Sequence, residues 1–158
     1  MKSVGMTTGG FYKQFASKEA LSAEATGRAF EDLGTLLAEY EERHRDHAAA
    51  RHALIEFYLS TEHRDQPGTG CPAAGLAGDM ARDAGAGEAG RCYANGLAEF
   101  TRWLSENEQD ESDGLAAMAT LVGAILLSRA TTGTEFSEAI LKAARDTLTP
   151  REDSGSRG

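Results

Sequence analysis

Proline is scarce in this sequence: Pro67 and Pro72 stand close together, Pro150 lies near the end, and no other interrupts the chain. The long stretches on either side of the first pair are therefore open to continuous helix. Cysteine is scarcer still. Cys71 and Cys92 form neither a zinc spacing nor a redox pair, so reduced thiols in a cytoplasmic protein are the expectation. Long hydrophobic runs are also missing. The longest, Leu121 to Leu127, includes Gly123 and is too short to cross a membrane, so no membrane partner is expected. The first residues lack the basic region and apolar core of a signal peptide.

Signatures of catalysis are equally thin. There is no G-x-x-x-x-G-K-[ST] and no H-E-x-x-H. A G-x-G-x-x-A string occurs at Gly68, Gly70 and Ala73, but a polar loop precedes it where a dinucleotide site needs a strand. His44, His47 and His52 lie close in ERHRDHAAARH; His44 and His47 are the pair spaced for one helical face, arginines crowd them, and surface histidines are the simpler reading. Cys71 sits at the expected start of a helix, where a thiolate is stabilised, but no base is tied to it by sequence and His63 is only a candidate neighbour. A structural thiol is the stronger reading. His63, Arg64 and Asp65 read as loop groups that satisfy backbone and helix ends. Nothing makes a catalytic set, and neither an enzyme, a cofactor nor a metal is expected.

Acid is lacking at one end only. Residues 1–18 hold Lys2, Lys13 and Lys18 and no carboxylate, while the remaining 13 basic and 25 acidic side chains leave residues 19–158 at −12. An acidic body repels nucleic acid, so any contact with it would be local to the basic end.

What the sequence does have is helical periodicity. Phe30, Leu33, Leu37 and Tyr40 step by three and four in a helix running from Ser17 to about His44, which Gly27 and Gly34 weaken without ending. A second covers roughly His47 to Leu59, with Leu54, Ile55 and Tyr58 on one side. Residues 60–72 read as a loop. Seven glycines between 68 and 90 make a helix near Ala73 to Asp83 one of the less stable elements. Tyr93, Leu97, Phe100 and Leu104 mark a helix over 88–106, and 110–113 is a polar break. The last two helices are expected over 115–129 and 135–148, and 150–158 as a disordered tail. No stretch alternates as a strand. The expected fold is all-α.

Two features carry function. In the last two helices Ala116, Ala119, Gly123, Ala124, Ala139, Ala143 and Ala144 permit close approach. The first of the pair, apolar at Leu115, Met118, Val122 and Ile125, asks for burial on more than one side; it is either the centre of a monomeric core or part of a core continued across a two-fold interface with Phe136, Ile140 and Ala144. Separately, Tyr58, Met80, Tyr93, Phe100 and Trp103 supply large side chains in a body otherwise rich in alanine and glycine. They either fill the core or line an apolar pocket.

The opening stretch V-G-M-T-T-G-G-F-Y-K-Q-F-A-S-K-E-A-L, residues 4–21, resembles the turn, recognition helix and following helix of TetR/AcrR-family transcriptional regulators. The segment Y-L-S-T-E-H-R-D-Q-P-G-T-G-C-P-A-A-G-L-A-G-D from Tyr58 is similar to the ligand-binding body of one branch of that family. L-V-G-A-I-L-L-S-R-A from Leu121, with the helix from Phe136 to Leu148, is similar to its dimerisation helices. The resemblance covers nearly the whole chain. It implies a partial helix-turn-helix segment over 1–28, lacking the two helices that precede this turn in the family, and a ligand-binding and dimerisation domain over 29–149. It also implies a homodimeric, ligand-responsive repressor whose partners are a small apolar molecule and, with those two helices restored, operator DNA. Thr7, Thr8 and Gly10 would face bases, and Tyr12, Lys13 and Lys18 would hold phosphates. Gln14 stands where the family commonly has histidine.

Overall fold

Ser17 opens the first helix by accepting the Ala20 amide on its Oγ at 3.0 Å, and α1 (Lys18–Arg43) follows without interruption across residues 28 and 29. The computed structural model describes residues 17–106 and 112–149; Thr7, Thr8, Gly10, Tyr12 and Lys13, and the tail over 150–158, lie outside them. Buried Ala23, Thr26, Phe30, Leu33 and Leu37 give α1 one inward face, which packs along α6 (Gly87–Leu104). At the crossing, a Cβ on Gly96 would overlap the Phe30 ring. Glycine there sets how closely the helices approach. Gly27 and Gly34 face open space and leave α1 unbroken, as their spacing predicts.

Asp46 caps α2 (His47–Tyr58) through the Ala49 amide at 2.9 Å. The expected loop over 60–72 is partly helical. Ser60 caps α3 (Thr61–Asp65) through the His63 amide, and a 3-10 turn covers Pro67–Thr69. The single helix expected near 73–83 is two short ones, α4 (Pro72–Gly75) and α5 (Ala77–Arg82). Gly75 and Gly78 lower helix propensity there, and only α4 has an inward face, with Ala73 and Ala74 buried.

The last two helices, α7 (Ser112–Ala130) and α8 (Glu135–Leu148), fall where the periodicity predicts them. The described residues are all-α, with no strand among them. α7 is the central helix, touching α2, α3, α4, α6 and α8. The fully buried core of Leu54, Ile55, Leu59, Phe100, Leu104, Leu121 and Ile125 gathers around it. By length and composition α7 is also apolar enough to cross a membrane, a property its small residues supply without any long run of large ones.

Buried polar groups lock the α7–α8 pair to the rest. Ser128 Oγ donates to the Ser137 carbonyl at 3.1 Å and Ser137 Oγ donates to the Ser128 carbonyl at 2.7 Å, both side chains fully buried. Arg64 Nη1 reaches Ser137 Oγ at 3.1 Å, while its Nε and Nη2 clasp the Asp65 carboxylate, which that pairing holds below the usual range. Arg129 donates from Nε to the Arg64 carbonyl and from Nη2 to the His63 carbonyl, each at 3.0 Å. His63, Arg64 and Asp65 thus belong to a short helix wired to the C-terminal pair.

Candidate functional site

A cavity of about 910 Å³ is bordered by α1, α2 and α6 and by the 68–83 segment. Its volume falls in the range of about 300–1,000 Å³ usual for small-molecule sites. The lining divides by depth. Lys18, Ser22, Ala25, Asp32, Leu36, Phe57, Asp79 and Asp83 are exposed and form the rim; Thr26, Leu33, Leu54, Tyr58, His63, Cys71 and Phe100 are buried and form the floor. Apolar carbon dominates the floor, and the helical stripes that bury the core also supply it.

Three of the five proposed pocket residues are here. Tyr58, Met80 and Phe100 line the cavity. Tyr93 and Trp103 do not. Tyr93 stands behind the wall, donating from Oη to the Ala73 carbonyl at 2.6 Å and meeting Phe30 edge-on at 5.7 Å. Its task is to hold α4 against α6. Trp103, three residues past Phe100 on α6, faces a separate shallow groove with Phe30, Leu37 and Gly34, and meets His47 edge-on at 5.2 Å. Phe100 alone of the five borders both spaces.

The floor carries three titratable groups in uncharged form at neutral pH. Burial pushes the Tyr58 phenol well up, helped by the nearby Cys71 thiol. Burial also raises Cys71, against the stabilising Ala73 and Ala74 amides, the Tyr58 hydroxyl and the Arg129 charge. The helix start therefore does not yield an activated thiolate. His63 is pushed down by burial first, with Arg129 adding to the shift. Its Nδ1 lies 2.7 Å from the Tyr58 carbonyl, an acceptor, so the proton sits on Nδ1. The His63 and Tyr58 rings are 4.5 Å apart and Tyr58 and Phe100 6.4 Å.

The other histidines make no site. His44 lies beyond the end of α1, with Nδ1 2.7 Å from the Tyr40 carbonyl, and His47 starts α2, with Nδ1 2.6 Å from Glu41 Oε1. The turn between the helices separates them, so they share no helical face. No group of metal-ligating side chains occurs among the described residues, and both cysteines are free.

The proposed interface residues divide in the same way. Leu115 and Phe136 are exposed at 54% and 66%, joined by Leu126 and Leu127; Met118, Val122 and Ile140 are half-buried. Ile125 and Ala144 are closed inside the chain's own core and offer a partner little or no surface. At about 100° per residue the series Leu115, Met118, Val122, Ile125 drifts by about 80°, which turns its last member inward. Lys18, the one proposed phosphate contact among the described residues, is exposed at the cavity rim.

Sequence reasoning missed Leu33, Leu54, His63 and Cys71 as lining. The leucines carry the stripe signal of any core residue, and nothing in periodicity separates a side chain that meets another from one that borders a void. No protein-family model matches the chain, and no curated protein is significantly similar to it.

Proposed function

We propose that this chain is a ligand-responsive, dimeric transcriptional regulator of the TetR/AcrR type, in which the cavity is the sensor. The observation that carries this is the position of α1. Its first turns, through Lys18, Ser22 and Ala25, form part of the cavity rim, and the segment resembling a recognition helix immediately precedes this helix in the sequence. A ligand that shifts α1 against α2 and α5 would therefore move the DNA-reading segment with it. Exposed Leu115, Leu126, Leu127 and Phe136 on α7 and α8 supply an apolar surface for a second copy.

Fluorescence anisotropy on DNA from the gene's own promoter tests the reading. Specific binding that weakens with salt is expected of a chain extended by the two preceding helices, and impaired binding of these 158 residues alone, together with a dimer by light scattering at micromolar concentration. A monomer with no salt-sensitive DNA binding by the extended chain rejects it. The second reading, a dimeric small-molecule-binding protein without operator binding, is favoured by one observation: residues 19–158 carry −12, which repels a duplex wherever it is not screened. A dimer that ignores promoter DNA at low salt even when extended selects that reading.

A further inference from the structure

Tyr58 is 3% exposed, its Oη is closed from solvent, and that hydroxyl has no hydrogen-bond partner in the protein. The Cys71 thiol is the polar group beside it and helps to raise its pKa, a weak sulfur contact that leaves the hydroxyl without a partner of normal hydrogen-bond geometry. A buried hydroxyl without a partner is a net cost to folding, and such groups are rare enough to call for a reason. Other buried polar side chains here are bonded, among them Ser128, Ser137, Arg51 and Arg64. Tyr58 Oη is one of three buried side-chain atoms without a partner among the described residues, with Trp103 Nε1 and Asp113 Oδ1, and it alone of the three belongs to a residue lining the cavity of about 910 Å³.

We propose that the Tyr58 hydroxyl is the polar anchor of the cavity, donating a hydrogen bond to an oxygen of an uncharged, largely apolar ligand such as a ketone, ester or lactone. This rests on the reading of the cavity as a ligand site and adds the chemistry of what enters it. Three observations fix the class. Leu33, Leu54 and Phe100 surround the anchor with carbon, so most of the ligand is apolar. The phenol keeps its proton at neutral pH, so it can donate and the ligand must accept. An anion finds no charge partner at the floor, where the groups are neutral; at the rim Asp32 and Asp79 pair with Arg28 and Arg82, beside Asp83 and Lys18. Arg129, the nearby cation, directs Nε and Nη2 to main-chain carbonyls.

The test uses three probes of one shape: 2-ethylnaphthalene, 2-acetylnaphthalene and 2-naphthoate, measured by equilibrium dialysis on the full chain and on Tyr58→Phe. Wild type should hold the acetyl compound most tightly. Tyr58→Phe should weaken the acetyl compound by about tenfold, the worth of one good neutral hydrogen bond, and leave the ethyl compound unchanged. Without ligand, Tyr58→Phe should melt at or above the wild-type temperature, because the lost hydroxyl had no partner. Three results overturn the inference while leaving the cavity reading in place. They are an acetyl preference that survives Tyr58→Phe, a fall of several degrees in the ligand-free variant, or naphthoate binding best. Failure of wild type to bind any of the three rejects the cavity reading and the inference together.

Discussion

Across residues 67–82, α5 buries no side chain, and Cys71, Ala73 and Ala74 are the buried points of attachment. Across α7 and α8, by contrast, Leu121, Ile125, Ser128 and Ser137 are fully closed, and two reciprocal serine hydrogen bonds join the helices. Both regions are rich in alanine and glycine. Small residues let backbones approach, but approach stabilises only where each partner is long enough to bring further groups into contact. The long pair achieves this and becomes scaffold. The short helices have little to bury and form a wall that local opening can displace at low cost.

That contrast has a sharp mutational form. Leu121→Ala should destabilise by about 3 kcal/mol, the usual cost of a cavity in a closed core. Leu76→Ala, in the half-buried joint between α4 and α5, should cost under about 1 kcal/mol. Urea denaturation of both variants measures the difference. Equal losses would mean the wall is as integral to the core as α7 is.

Ser137→Ala probes the polar side of the scaffold. It takes an acceptor from Arg64 Nη1 and a partner from Ser128, both buried, at about 1–3 kcal/mol. A neutral result would show that hydrophobic packing alone carries the pair.

Acid should loosen the region where wall and scaffold meet. His63 has a folded pKa below its ordinary value, so in the window beneath about 6.5 the unfolded chain binds the extra proton first. Stability contributed by neutral His63 is present above that window and is lost as pH falls through it. Melting temperatures from pH 7 to pH 5 should decline, and His63→Gln should flatten the decline. An unchanged slope in the variant would assign it to other groups.

The smallest effect belongs to the turn after α5. Ala84 has φ 51°, a left-handed backbone that a Cβ disfavours. Ala84→Gly should stabilise by about 0.5 kcal/mol after the entropic penalty of glycine is deducted. A loss instead would mean the Ala84 methyl contributes packing.

Local chemistry along the chain was enough to determine the long helices. Ser17, Asp46 and Thr134 start them with their own side-chain oxygens, and the apolar spacing of three and four gives α1, α6 and α8 their inward faces. Those interactions span only a few residues, so the sequence contains them complete. Where the chain was short of side chains, between 60 and 83, the pattern had no such signal, and α3, α4 and α5 were settled by contacts with α7 and α6. The cavity was beyond the sequence for a related reason. Tyr58, Phe100 and Trp103 carry the same large side chains, yet one turn of α6 separates a floor residue from one facing the opposite groove. Ile125 and Leu115 read as one stripe, yet the first is in the core and the second faces solvent. Periodicity fixes angles around one helix axis; which neighbour occupies each angle, and where none does, depends on how all the axes pack.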